Sequence, residues 1–307
     1  MALSGDTPTA QPAAARTGIG SPRFLAFLGA QFLAAVNDNA FRVTLILYVL
    51  AMVAEEARQL RYSSLATALV PIPFLLFSPI AGYLTDRFPK HRVLLWTKAP
   101  EILSMTLATV GFYLGSIRFL YFVLFLTATR GAFFSPAKFG ILPEVFADAD
   151  ISAANGILEL VTDLAILIGS LLGVYVYSLF ASNLVNAGLV FVAIAFAGAA
   201  AIVFAPRAPA GNRRAEFAWN IFRSFGRDFA EVRGNPTLYY TLVGIAWFGF
   251  IGSFFLVVVP VFGKSELGLD ETRVGLLFAL LSIGVGIGAV AAGRLSRNHV
   301  EIGLVPL

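Results

Sequence analysis

The chain has 307 residues, of which 58% are hydrophobic and only 13% are charged, and its mean hydropathy is +0.81. Because a soluble domain carries about 25% charged residues, this composition excludes a soluble globular domain and a disordered chain. The sequence has no cysteine, which excludes a disulfide scaffold and thiol chemistry. A membrane protein with several spans remains, and its net charge of +4 requires an explanation.

Residues 1–22 are mostly small or polar and contain no apolar stretch of the kind found in a signal peptide, so we predict a disordered cytoplasmic tail there. Eight apolar runs of spanning length follow, and they lack the alternation of barrel strands. Backbone groups in lipid must be satisfied within the segment, so we expect helices. The runs are 24–54, 63–85, 93–115, 119–137, 152–180, 184–205, 238–262 and 274–293.

The distribution of Lys and Arg predicts the orientation. With the N-terminus inside, fifteen of the 22 basic residues lie on the cytoplasmic side and five in outer loops, while Arg42 and Arg130 lie within spans. This positive-inside bias explains the pI of 9.5 without nucleic-acid binding. In the long loop 206–236, Phe217, Ile221 and Phe225 recur at helical spacing beside arginines, which favours a helix on the inner leaflet over a solvated linker.

Span 1 carries a polar group near its midpoint, namely Asn37, Asp38, Asn39 and Arg42. A charge at the membrane centre costs about 2.5–3.5 kcal/mol on insertion scales. Asp38 and Arg42 are four residues apart on one helix face, so we expect each to neutralise the other in part. The group favours a substrate or gating site that faces a water-filled cavity; a structural ion pair is the alternative.

Span 5 repeats this pattern, because Asn155, Glu159 and Asp163 are spaced by four residues on one face. The two acids repel each other unless a cation or water lies between them, and we expect Arg130 or Arg42 to be the cation. The alternative is that these side chains of span 5 only pack against the arginines and have no functional role. In span 3, Lys98 and Glu101 lie near the cytoplasmic end, where we expect them to snorkel to the surface.

The loop after span 2 is rich in charge and predicts a gate. We expect Gly82 to let two helices approach and Asp86 to pair with the basic residues of this loop across the cytoplasmic seam; these are Arg87, Lys90 and Arg92. A degenerate copy of the loop at 293–297 indicates two parallel six-helix halves. Glycines and prolines at 130–144 predict an interrupted helix, with Lys138 and Glu144 at the cytoplasmic mouth.

Three segments together, 31–41, 86–98 and 133–144, resemble the bacterial lysophospholipid transporter family of the major facilitator superfamily. Asn37-Asp38-Asn39 and Ser135-Pro136-Ala137-Lys138 are its specific features, and Asn155 and Glu159 fit as well. The resemblance implies an all-α, multi-pass bundle of twelve helices, of which we expect this sequence to be a fragment with about eight. Its parts would be the tail at 1–22, a six-helix half at 23–205, the linker at 206–236 and two helices of the second half at 237–307.

The resemblance also implies a function, which is the movement of lysophosphatidylethanolamine-like lysophospholipid from the outer to the inner leaflet of the bacterial inner membrane by alternating access. Arg42 or Arg130 would hold the phosphate, and Asp38, Glu159 or Asp163 the amine. The implied partner is an acyltransferase with an acyl-carrier-protein synthetase, separate or fused beyond this segment. No metal, cofactor or nucleic acid is implied.

Other functions remain open at this point. The first is a major facilitator transporter of another small amphipathic solute or drug, and a second is a receptor or scaffold that transports nothing. An enzyme in this segment is disfavoured, because neither His91 nor His299 is followed, five residues on, by the aspartate that an acyltransferase needs.

Overall fold

The structure, a computed structural model, describes residues 17–207, 229–230, 232–269 and scattered positions between 273 and 291. The bounds of ten helices are defined within these residues. They are α1 (Pro22–Met52), α2 (Glu56–Ala68), α3 (Pro71–Arg87), α4 (Lys90–Trp96), α5 (Lys98–Leu114), α6 (Ile117–Gly140), α7 (Leu142–Val145), α8 (Asp148–Phe180), α9 (Leu184–Ile202) and α10 (Pro236–Ser265).

Five segments of the described residues are long and apolar enough to cross a membrane. They are Pro22–Met52, Ala57–Arg87, Ile117–Val145, Asp148–Phe180 and Leu184–Ile202. Local sequence sets their ends: at the start of α1, Ser21 Oγ accepts a hydrogen bond from the Phe24 N–H at 3.2 Å, and Pro22 occupies the first helical position. The 31 residues of α1 extend about 46 Å at 1.5 Å per residue, which exceeds the ~30 Å hydrocarbon thickness.

Five of the eight predicted spans, the first, second, fourth, fifth and sixth, coincide with these segments, and the seventh falls within α10. Two spans contain interruptions that were not predicted. The second span consists of α2 and α3, which are separated at residues 69–70, and the third is divided between α4 and α5 at Thr97. The interruption expected within residues 130–144 is confirmed: α6 continues through Gly131 and Pro136 to Gly140, and a new helix, α7, begins at Leu142. The eighth span, the surface helix of 206–236 and the second loop copy at 293–297 lie largely or wholly outside the described residues.

Helix α1 forms the centre of the bundle and packs against α8 and α9, while α6 packs against α3, α4 and α5. Two glycines permit the closest approach. A Cβ at Gly169 of α8 would lie 2.5 Å from the backbone oxygen of Val36, and one at Gly173 would lie 2.6 Å from that of Ala40. This small-residue spacing lets the backbones meet at the polar middle of α1.

Two apolar cores lie at opposite ends of α1. One contains Phe41, Phe112 and Phe191, and the other contains Phe24 and Phe146. The polar residues of α1 from Gln31 to Asn39 lie between these cores along the helix. The fold therefore surrounds a polar layer with apolar packing above and below it.

Candidate functional site

Four charged side chains from three helices form a connected group, which we call the midpoint network: Asp38, Arg130, Glu101 and Lys98. Asp38 of α1 forms an ion pair with Arg130 of α6. Arg130 Nη1 lies 3.5 Å from Glu101 Oε2 of α5, and Lys98 Nζ donates to the same carboxylate at 2.8 Å. Two cations and two anions therefore balance within the bundle.

Burial makes this balance necessary. Lys98 is 3% exposed, Arg130 is 4% exposed and Glu101 is fully buried. A buried ion pair is tolerated when further hydrogen bonds and contacts satisfy the charges. Here Lys98 Nζ also donates to the Ala30 carbonyl at 3.4 Å, and the Lys98 and Arg130 cations lie 5.6 and 5.9 Å from the Phe134 ring centroid.

One expectation about this layer holds in part and another is wrong. Asp38 and Arg42 interact electrostatically but form no direct salt bridge among the described residues, and Arg42 Nη2 donates to Asn39 Oδ1 at 2.7 Å. Lys98 and Glu101 do not snorkel to the surface, because α5 turns them into the bundle, towards Arg130. Spacing along one helix does not reveal partners that helix packing supplies from α6.

The midpoint network is mostly buried but retains hydrogen-bonding capacity. The Asp38 side chain is 29% exposed, so it is neither sealed in dry protein nor turned fully outward. Within the described part of the chain, Asp38 Oδ1, Glu101 Oε1 and Arg130 Nε have no hydrogen-bond partner. Buried polar atoms are nearly always satisfied in proteins, so these three atoms keep hydrogen-bonding capacity that the described residues do not use.

Asn37 and Asn39 have different environments although they flank Asp38. Asn37 is fully buried, and its Nδ2 donates to the Phe191 carbonyl of α9 at 3.0 Å. Asn39 is half-buried, accepts from Arg42 and donates to the Ala35 carbonyl at 2.8 Å. Asn37 therefore fastens α1 to α9, whereas Asn39 and Arg42 remain on the more accessible side.

A second polar group, which we call the Lys138 cluster, joins α1, α6 and α8; its members are Gln31, Lys138, Glu159, Thr162 and Asp163. Thr162 Oγ1 accepts hydrogen bonds from Gln31 Nε2 at 3.1 Å and from Lys138 Nζ at 3.4 Å. Lys138 also interacts electrostatically with Glu159 and Asp163.

The Lys138 cluster corrects one further expectation. The cation that faces Glu159 and Asp163 is Lys138 rather than Arg130 or Arg42, because Arg130 is engaged by Asp38 and Glu101. Lys138 lies in the last turn of α6, and its side chain is buried, with 7% exposed. Asn155, one turn before Glu159 on α8, is half-buried.

The predicted gating residues include one ion pair and three exposed side chains. Lys90 at the start of α4 forms an ion pair with Glu144 of α7 and covers Gly140, where an added Cβ would lie 2.7 Å from Lys90 Cε. Asp86, Arg87 and Arg92 are exposed, and the Arg87 guanidinium lies over the Tyr83 ring at 5.8 Å.

The role expected of Gly82 stays a prediction. A Cβ there would meet no atom of the described residues within 4 Å, so no helix in this part of the chain approaches it closely. Among the same residues, no group of three or more His, Cys, Asp or Glu side chains is arranged to hold a metal ion.

Comparison with known proteins identifies the family to which the sequence is similar. The sequence model of the Major Facilitator Superfamily matches residues 24–305. Proteins named lysophospholipid transporter LplT from Citrobacter koseri and from Escherichia coli O1:K1 are each 30% identical over 284 residues, which are 91% of this chain and 67% and 68% of those proteins. The Escherichia fergusonii protein of the same name is 30% identical over 285 residues.

A solved structure shares the fold. A bacterial homologue of the iron transporter ferroportin, in its outward-facing state, superposes with a TM-score of 0.62 over 89% of this chain and 69% of that chain. Sequence identity is 16%, so this similarity concerns the fold alone.

Proposed function

Because this chain belongs to the major facilitator superfamily and is an integral membrane transporter, we propose that it moves lysophospholipid from the outer to the inner leaflet of the bacterial inner membrane. The name shared by its relatives supports this cargo. The proposed orientation places the N-terminus in the cytoplasm, on the evidence of the basic residues on that side.

The observation that carries the proposal is the midpoint network. Ionisable side chains inside membrane bundles are costly and usually serve a substrate or ion pathway. This network keeps three unsatisfied polar atoms, and one of its carboxylates is partly exposed. It therefore offers a charged binding surface at mid-depth rather than a fully saturated structural bridge.

A lysophospholipid headgroup with an amine and a phosphate matches this surface. Asp38 is the partly exposed carboxylate of the network, and we propose that it binds the amine. Arg42 is bonded through Nη2 to Asn39 and retains further N–H donors for a phosphate, whereas Arg130 already holds two carboxylates. Of the two arginines considered from sequence, the contacts favour Arg42 for the phosphate.

The Asp38–Arg130 ion pair suggests how loading is coupled to movement. A substrate amine that binds Asp38 competes with Arg130, whose charge then rests on Glu101 alone. Such a change in partners supplies the differential interaction that a two-state carrier needs in order to favour one conformation. Rocking of the six-helix unit against the rest of the protein would then expose the site alternately to each side.

The partner proposed for this transporter is an acyltransferase with an acyl-carrier-protein synthetase. A lysophospholipid that reaches the inner leaflet lacks one acyl chain, so a reaction that adds an acyl group consumes it. The enzyme would be separate or fused to the same polypeptide.

Transport by the intact protein in vesicles tests the proposal. Labelled lysophosphatidylethanolamine is added to one leaflet, and its arrival in the other is followed against protein-free vesicles. Faster movement of the lysolipid, with no uptake of cationic drugs or sugars, is the expected result. Uptake of a drug or sugar without lysolipid movement would instead support the transport of another small amphipathic solute.

A further inference from the structure

We propose that the Lys138 cluster is a second headgroup site, used after the headgroup leaves the midpoint network and before it reaches the cytoplasmic leaflet. This inference rests on the proposed function and adds a specific site to it. The ligand class is a zwitterionic lipid headgroup, with its phosphate at Lys138 and its amine at Glu159 and Asp163.

The pairing of charges distinguishes the Lys138 cluster from the midpoint network. In the midpoint network each charge has an ion-pair partner. In the Lys138 cluster, Lys138 faces Glu159 and Asp163, yet within the described part of the chain none of the three makes a direct salt bridge. Opposite charges thus lie near each other with a gap between them.

The ammonium group of Lys138 has an incomplete set of partners. Lys138 is 7% exposed, and its hydrogen bond to Thr162 is long at 3.4 Å. Its other close contact is the face of the Phe139 ring, whose centroid lies 4.4 Å from Nζ. Buried lysine side chains are rare unless they are paired, so this ammonium is prepared for an anionic partner.

The two carboxylates are accessible where Lys138 is buried. Glu159 and Asp163 are both half-buried, one turn apart on α8. Two adjacent carboxylates on one face repel each other and therefore favour a cation between them. A lipid amine supplies that cation, while its phosphate, a few bonds away, reaches the ammonium of Lys138.

The depth of the cluster gives its place in the pathway. Lys138 follows Arg130 by eight residues on α6, which is about 12 Å along the helix. Gln31 precedes Asp38 by seven residues on α1, or about 10 Å. Both displacements lead towards the end of the bundle that holds Lys90 and Glu144, which is the predicted cytoplasmic side.

Two lysolipids test the assignment in vesicles that contain the intact protein. Lysophosphatidylethanolamine has an amine and a phosphate, whereas lysophosphatidylglycerol has the phosphate but no amine. Removal of both carboxylates, with Glu159→Gln and Asp163→Asn, is expected to lower transport of the first lipid by about ten-fold and to leave the second within about two-fold, since one lost charge-assisted contact is worth 1.4 kcal/mol or more.

Substitutions of Lys138 give the complementary test, because they remove the proposed phosphate ligand. Lys138→Gln is expected to lower transport of both lipids, and Lys138→Arg to restore most of it, since both lipids carry the phosphate. Asp148→Asn removes an exposed charge from the first turn of the same α8 helix and serves as the matched control.

Two outcomes would overturn the inference. The first is an equal loss for both lipids in the carboxylate variant, which indicates a structural role. The second is unchanged transport in both the carboxylate variant and Lys138→Gln. The wild-type protein keeps the two proposals separate: if it moves neither lipid, the proposed function fails, whereas transport by wild type with either outcome above refutes only the second site.

Discussion

Asp38 of α1 is paired with Arg130 of α6, 92 residues further along the chain, although Arg42 stands only one turn away from it. Arg130 in turn touches Glu101, which Lys98 also holds. The charge at the centre of α1 is thus neutralised by its neighbours in space. This pairing makes the midpoint network a unit that spans α1, α5 and α6.

A double-mutant cycle measures the coupling energy between Asp38 and Arg130 in this network. Arg130→Gln leaves Asp38 without its ion-pair partner and is expected to lower the free energy of unfolding by about 3–5 kcal/mol, because an uncompensated charge remains buried. Adding Asp38→Asn should recover part of that loss. The measurement is unfolding of the purified protein in detergent with each variant and the pair.

The stability changes caused by Arg130→Gln and Asp38→Asn would simply add if the two side chains did not interact. Strict additivity of the two substitutions would contradict the ion pair, because residues in one network show a coupling energy of about 0.5–3 kcal/mol. Arg58→Gln is a suitable control, since Arg58 pairs with Glu55 at the surface and its side chain is 68% exposed.

The contact between α1 and α8 gives a second prediction. Gly169→Ala places a Cβ 2.5 Å from the Val36 carbonyl oxygen, so a backbone must shift. We expect a loss of stability of about 1–3 kcal/mol, typical of overpacking, and a lower yield of folded protein on size-exclusion chromatography. Gly82→Ala is the matched control, because a Cβ there would meet nothing within 4 Å in the part of the chain that the structure describes. Equal tolerance of both substitutions would show that the two backbones are not in contact.

The Lys90–Glu144 pair gives a third prediction, about gating. Lys90→Glu places two like charges together and should open the space over Gly140 and Thr85. The sequence contains no cysteine, so a single thiol from Thr85→Cys reports that space directly. Its labelling by a water-soluble maleimide should be several-fold faster with Lys90→Glu.

The charge swap is the control for this gate. Lys90→Glu combined with Glu144→Lys restores the ion pair, and labelling of the Thr85→Cys thiol should return towards the original rate. Fast labelling in all three backgrounds would mean that the pair does not close this end of the bundle.

Hydropathy and the family motifs predicted most of the architecture. A span must be apolar for about 20 residues, so its position is visible without tertiary information. The family resemblance, carried by Asn37-Asp38-Asn39 and Ser135-Pro136-Ala137-Lys138, is confirmed by the matched relatives. The break at Thr97 was missed although the sequence carries a signal for it: Lys98 follows at once, and Pro100 lies in the first turn of α5, where proline is tolerated.

The partners within the site were harder to predict. Whether Asp38 meets Arg42 or Arg130 depends on how α6 is rotated against α1, which no local spacing encodes. Glu101 could have been found by charge balance, since an arginine in the middle of span 4 requires an acid at its own depth. Lys98 could have been found with it, because the two are three residues apart and share a helix face.

The most direct test of the account is lysolipid movement by the Asp38→Asn variant in vesicles, a change that removes the carboxylate charge and keeps the size of the side chain. We expect transport of lysophosphatidylethanolamine to fall to the level of protein-free vesicles while the amount of inserted, folded protein stays the same. Transport at the wild-type rate by correctly inserted Asp38→Asn protein would contradict the role of this carboxylate and of the midpoint network around it.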